Sequence, residues 1–160
     1  MIIPASWLNS RLSLSLTASE IADRLSSTGF ESEVIQDLIN IDKGLVVGKI
    51  VSVEKHPSAD KLNVCQVDVG SEVLQIVCGC ATVGDAKYVV VAPVGSKLPG
   101  CAIEEVSLRN VTSSGMICSL SEIGFEVASE GIYHIPDSED VVAGQSVGEL
   151  MGVSDLIDVD

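Results

Sequence analysis

Seven side chains between residues 43 and 109 carry positive charge: Lys43, Lys49, Lys55, Lys61, Lys87, Lys97 and Arg109. Ammonium and guanidinium groups hold phosphate, and the planar guanidinium fork can do so bidentately. Lys61, Lys97 and Arg109 are the candidate phosphate contacts, with Arg109 favoured by that fork. Other chemistry has less to work with. Cys78 and Cys80 lie two apart, which on a strand puts them on one face. A zinc site needs four ligands, and Cys65, Cys101, Cys118, His56 and His134 are the remaining candidates. Their spacing is not that of a zinc finger, and buried cysteine commonly fills cores, so no metal site is expected. A Cys–His nucleophile pair would lack an orienting partner. Neither a Gly-rich phosphate loop nor an HExxH motif is present, so no catalytic residue and no cofactor is expected in these residues.

The charge balance constrains any anion-binding face. The net charge is −14, which is unusual for a protein that grips phosphates. Residues 1–42 carry two basic and six acidic groups, residues 43–109 carry seven of each, and from Asn110 onward there are ten acids with no lysine or arginine. A polyanion-binding face therefore has to come from the central segment, while the acidic tail faces solvent or a basic partner. The five cysteines are odd in number and lack a disulfide spacing, so reduced thiols in a cytoplasmic protein are expected. No apolar run reaches the ~20 residues that cross a bilayer, and no basic leader precedes the first apolar residues.

The elements that must position these groups follow from local patterns. Hydrophobic residues make up 46% of the chain and aromatics only 3%, with valine and isoleucine prominent, which suits a mostly β core. Thr17-Ala18-Ser19-Glu20 is a capping box, with Leu16 and Ile21 placed as a hydrophobic staple. Ile21, Ala22 and Leu25 then share a face, and Gly29 supplies the left-handed stop, predicting a helix over 18–28. Met1–Ile3 and Phe30–Ile35 read as strands, Ser6–Arg11 as a helical turn, and Leu156–Asp160 as a returning strand. From Leu45 the texture becomes strand-like: Leu45–Glu54, Leu62–Val69, Val73–Cys78, Tyr88–Pro93 and Ile103–Val111, separated by Gly, Pro, Asp and Ser turns. A short helix near Ser119–Ile123, a later strand at Ile132–Ile135 and a helical turn at Val147–Met151 complete the reading. Spacing of this kind suits a small Greek-key barrel or a sandwich.

Several strings, taken in order, are more specific than any one of them. They are His56-Pro57-Ser58-Ala59-Asp60-Lys61-Leu62, Cys65 to Gly70, Gln75 to Gly79, Val94 to Gly100, Leu108-Arg109-Asn110-Val111, and Ser113 with Gly115-Met116-Ile117-Cys118-Ser119. Together they resemble the OB-fold tRNA-binding domain of aminoacyl-tRNA ligases and free-standing tRNA-binding proteins. The preceding Trp7-Leu8, Leu16–Leu25 and Gly29–Val34 resemble the start of the bacterial phenylalanine–tRNA ligase β subunit. That resemblance implies an α+β, mainly β architecture: a five-stranded OB-fold Greek-key barrel, residues 39–150, inserted into a small α/β piece formed by residues 1–38 and completed by 152–160. It implies a non-catalytic fragment that supports tRNA binding while phenylalanine is attached to its tRNA. The whole enzyme would be a heterotetramer of two α and two β subunits, with ATP and magnesium used at the α subunit.

The same resemblance makes the first inter-strand loop, with His56 and Lys61, the binding edge. It also marks Ser113, Gly115 and Met116 as a binding-face segment. Structural readings stand beside these: Pro57 as a turn-former with Leu62 as a plug, Gly115 as a bend, and Met116 as a core filler, the better of its two readings. Tyr88 and His56 are the only rings in the central segment, so recognition of RNA shape and backbone is expected over base stacking. One departure is plain: the family's proline-asparagine pair after the Cys-Gly turn is replaced by Ala81-Thr82, which loses an amide. A free-standing tRNA-binding or chaperone-like barrel and a purely structural packing module are the alternatives.

Overall fold

The computed structural model describes residues 1–35, 44–125, 128–138, 140–151 and 156–160. In chain order these form β1 (Ile2–Pro4), α1 (Ala5–Leu12), α2 (Ala18–Ser27) and β2 (Ser32–Ile35). Next come β3 (Val46–Lys55), β4 (Asn63–Asp68), β5 (Val73–Cys78), a 3-10 turn (Val83–Asp85) and β6 (Tyr88–Pro93). Short strands follow as β7 (Lys97–Leu98), β8 (Cys101–Ala102), β9 (Val106–Leu108) and β10 (Val111–Ser113). The described residues end with β11 (Gly115–Cys118), β12 (His134–Ile135), α3 (Val147–Leu150) and β13 (Leu156–Val159). The chain divides into two compact units, residues 1–39 with 148–160, and residues 40–147.

In the smaller unit, β13 pairs antiparallel with both β1 and β2. Helix α2 starts at Thr17, whose hydroxyl accepts the Glu20 N–H while the Glu20 carboxylate accepts the Thr17 N–H. It ends in a Schellman motif: Gly29, at φ 98°, donates to Ser26 and Phe30 donates to Leu25. Ile21 and Ala22 bury against Ile157 and Val159, with Leu16, Leu25 and Leu8 packed around them. The expected turn at Ser6–Arg11 is a full helix of eight residues, and Trp7 on it is half exposed.

The larger unit is a nearly closed barrel. Its sheet order is β11-β6-β3-β4-β5, all antiparallel, and β12 adds to β6. Closure between β5 and the β10–β11 segment comes from three hydrogen bonds: Ser114 N–H to Gln75 O, Gln75 Nε2–H to Thr112 O, and Val77 N–H to Ser113 Oγ. The irregularity between Ile50 and Ser52 bends β3 so that one strand serves both β4 and β6. Cys65, Val67, Ile76, Val83, Val89, Val91 and Ile117 fill the interior.

Three expectations change. The segment Ile103–Val111 is not a barrel strand; the fifth barrel strand is Gly115–Cys118. Arg109 and Asn110 both have positive φ, so the chain folds back as a hairpin with β9 exposed along its length. The stretch Ser119–Ile123 is a run of hydrogen-bonded turns, not a helix, while a 3-10 turn forms at Val83–Asp85 instead. Cys80 lies beyond the end of β5, so it does not share a strand face with Cys78.

Candidate nucleic-acid interface

One edge of the barrel gathers three of the candidate residues, His56, Lys61 and Arg109. The β3–β4 loop, 56–62, carries Lys61, which is exposed. The tip of the β9–β10 hairpin carries Arg109, also exposed, and its guanidinium donates to the Ser58 carbonyl at 2.8 Å. His56 locks the same two loops from inside. It is 5% exposed, its Nδ1 accepts the Ser58 N–H at 3.0 Å, and its Nε2 lies 2.9 Å from the Leu108 carbonyl. An acceptor Nδ1 facing an N–H and a donor Nε2 facing a carbonyl define the neutral ring with its proton on Nε2. Asn63, at the start of β4, ties in the β5 loop by donating from Nδ2 to the Cys80 carbonyl. Lys55 is exposed beside this edge, and the exposed Asp60 offsets part of the positive charge.

The other residues fall elsewhere. His56 and Ser113 are interior groups, not surface ones. Ser113 is 2% exposed, and its hydroxyl accepts from Val77 N–H and donates to Gly115 O, so it clips β5 to the closing strand. Met116 is half buried and lines a cleft with Cys80 and Ile132. Lys97 is exposed on the separate β7–β8 hairpin. Lys87 pairs with Asp137 at 2.6 Å, a bond that holds its ammonium above the ordinary lysine value, so its charge is already matched. Lys43 lies outside the described residues. The locks between Ser58 and Arg109 and between His56 and Leu108 left no sign in the sequence, because each joins residues some fifty positions apart. Among the described residues no group of three metal-ligating side chains occurs, and no helix is long and apolar enough to cross a membrane.

A nearly closed, curved antiparallel barrel of this strand order, with exposed cations along one edge, is an OB-type barrel. Residues 45–146 match the family described as a putative tRNA binding domain, and the chain belongs to that family. Its similarity extends across both units. It is 46% identical over 160 residues to the phenylalanine–tRNA ligase β subunit of Synechocystis sp., and 40% identical over 165 residues to that of Oceanobacillus iheyensis. Each match covers 98% of this chain and 20% of the relative, so the chain spans about a fifth of the length of these relatives. Among solved structures, the C-terminal domain of Plasmodium vivax p43 superposes with a TM-score of 0.48 at 26% identity, covering 70% of this chain and 62% of that one.

Proposed function

We propose that this chain is the N-terminal, RNA-facing part of a phenylalanine–tRNA ligase β subunit, and that its barrel holds the tRNA backbone by charge without doing chemistry. The observation that carries this reading is the bond from Arg109 to Ser58. It fixes a guanidinium against the loop that carries Lys61, so two cations share one edge and one of them is held in place. Lys61 and Arg109 then contact phosphates, Lys97 adds a third contact from its own hairpin, and Met116 lies against RNA beside its cleft. His56 and Ser113 act through position, the first holding the two loops together and the second closing the barrel. The family match and the identity to β subunits support tRNA as the ligand. The enzyme would assemble two α and two β subunits in the cytoplasm, with ATP and magnesium at the α subunit. None of the residues named here is assigned to them.

The test uses the assembled enzyme. Lys61→Glu combined with Arg109→Glu raises KM for tRNA and leaves kcat unchanged, the pattern of lost uniform binding. Unchanged KM and kcat would assign the barrel to packing within the subunit.

A further inference from the structure

Beside the Cys80 loop a cleft of about 540 Å³ opens, lined by Cys78, Cys80, Met116, Ser119, Glu122 and Ile132. Cys80 is half buried. Its Sγ lies 3.2 Å from Thr82 Oγ1, and that hydroxyl lies 3.4 Å from His134 Nε2. The three side chains come from the loop after β5 and from β12, and nothing in the tRNA-binding reading uses them. Their geometry is a two-step proton path. The thiol can donate to the Thr82 oxygen while the hydroxyl donates to a neutral Nε2. After the shift the hydroxyl donates to the thiolate and the imidazolium Nε2–H donates to the hydroxyl.

We propose that Cys80 is a thiol–disulfide exchange site for low-molecular-weight disulfides, with Thr82 and His134 as positioning and proton-accepting partners. The thiolate attacks one sulfur of the disulfide R–S–S–R, and a Cys80–S–S–R bond forms as the R–S bond breaks. The released R–S⁻ takes the proton held by His134, so charge and electrons balance without another oxidant. The cleft gives the attached group walls to lie against. Burial alone would push the Cys80 thiol up, but hydrogen bonds from the Thr82 side chain and from the Ile132 and Thr82 backbone outweigh it, and the thiol sits below its ordinary value. Burial pushes the Cys65 and Cys118 thiols up to about 12, and it raises Cys78 as well. Cys101 is exposed without this arrangement, so it serves as an internal clock.

Cystamine added to the reduced chain, with adducts located by peptide mass spectrometry, tests the proposal. Cys80 is modified before Cys101, and Cys65, Cys78 and Cys118 stay free in the folded protein. Thr82→Val slows Cys80 but not Cys101, and Thr82→Ser restores the rate. The slowing is about threefold for each tenfold loss of thiolate, because a more basic thiolate is also a better nucleophile. Modification of Cys101 first, or an unchanged Cys80 rate in Thr82→Val, overturns it. The wild-type order needs no variant, so the proposal can fail even where a substitution unfolds the chain.

Discussion

Arg109 at φ 49° and Asn110 at φ 67° both occupy the left-handed region, the turn geometry that matches the twist of a two-residue hairpin. Asparagine tolerates it; arginine does so at about 1–2 kcal/mol. Such strain at a tip that also presents a cation fits a residue kept for its side chain. Arg109→Gly relieves the strain and loses one exposed hydrogen bond. Urea unfolding is therefore expected to change by no more than about 1 kcal/mol, while tRNA affinity falls. Ser113→Ala behaves oppositely. It leaves the Val77 N–H without its acceptor inside the barrel, which costs about 1–3 kcal/mol in the same urea experiment. The place of Lys61 in a turn-rich loop was legible in the sequence, whereas Arg109 was read as part of a strand and its position at a hairpin tip was not. The interior places of His56 and Ser113 were not, because burial depends on which distant strands close over them.

The two runs that the sequence placed to the residue, Val73–Cys78 and Tyr88–Pro93, are apolar stretches bounded by turn-formers; the second is an interior strand of the barrel sheet and the first is its last strand. The misplaced run, Ile103–Val111, contains a reversal at Arg109-Asn110 with no glycine to flag it. Gly48 shows how closely the strands meet: a methyl there would collide with side-chain methyls of Val91 and Val67. Gly48→Ala is expected to destabilise the barrel by about 1–3 kcal/mol, the cost of overpacking, read from its thermal unfolding. In the smaller unit the capping box was legible because it is local. Thr17→Ala costs about 1 kcal/mol there. The Thr17 backbone and hydroxyl bonds hold the Glu20 carboxyl below its ordinary value. A depressed carboxyl stabilises above its unfolded value and loses that contribution as pH falls through the folded one. Acid unfolding of the smaller unit, followed by circular dichroism, is therefore expected to be less steep in Glu20→Gln.

At the scale of the whole molecule, a net charge of −14 and the proposed RNA-binding face have to coexist. The sequence showed how: the cations fall within residues 43–109 apart from Arg11 and Arg24, and no lysine or arginine follows Arg109. The fold then concentrates two of them at one edge and spends a third, Lys87, on Asp137. So small a cluster neutralises only about two to three phosphates, which predicts a shallow salt dependence, a slope of about −1.4 to −2.7 in log–log form. A packing module of the same fold would show none. The most direct measurement is fluorescence anisotropy of labelled tRNA titrated with the chain from low to physiological salt, beside the Arg109→Glu variant. The account predicts saturable binding with that shallow slope, and a weaker complex whose slope is smaller by about one in the variant. Absence of binding at low salt, or a variant that binds as the parent does, would contradict it.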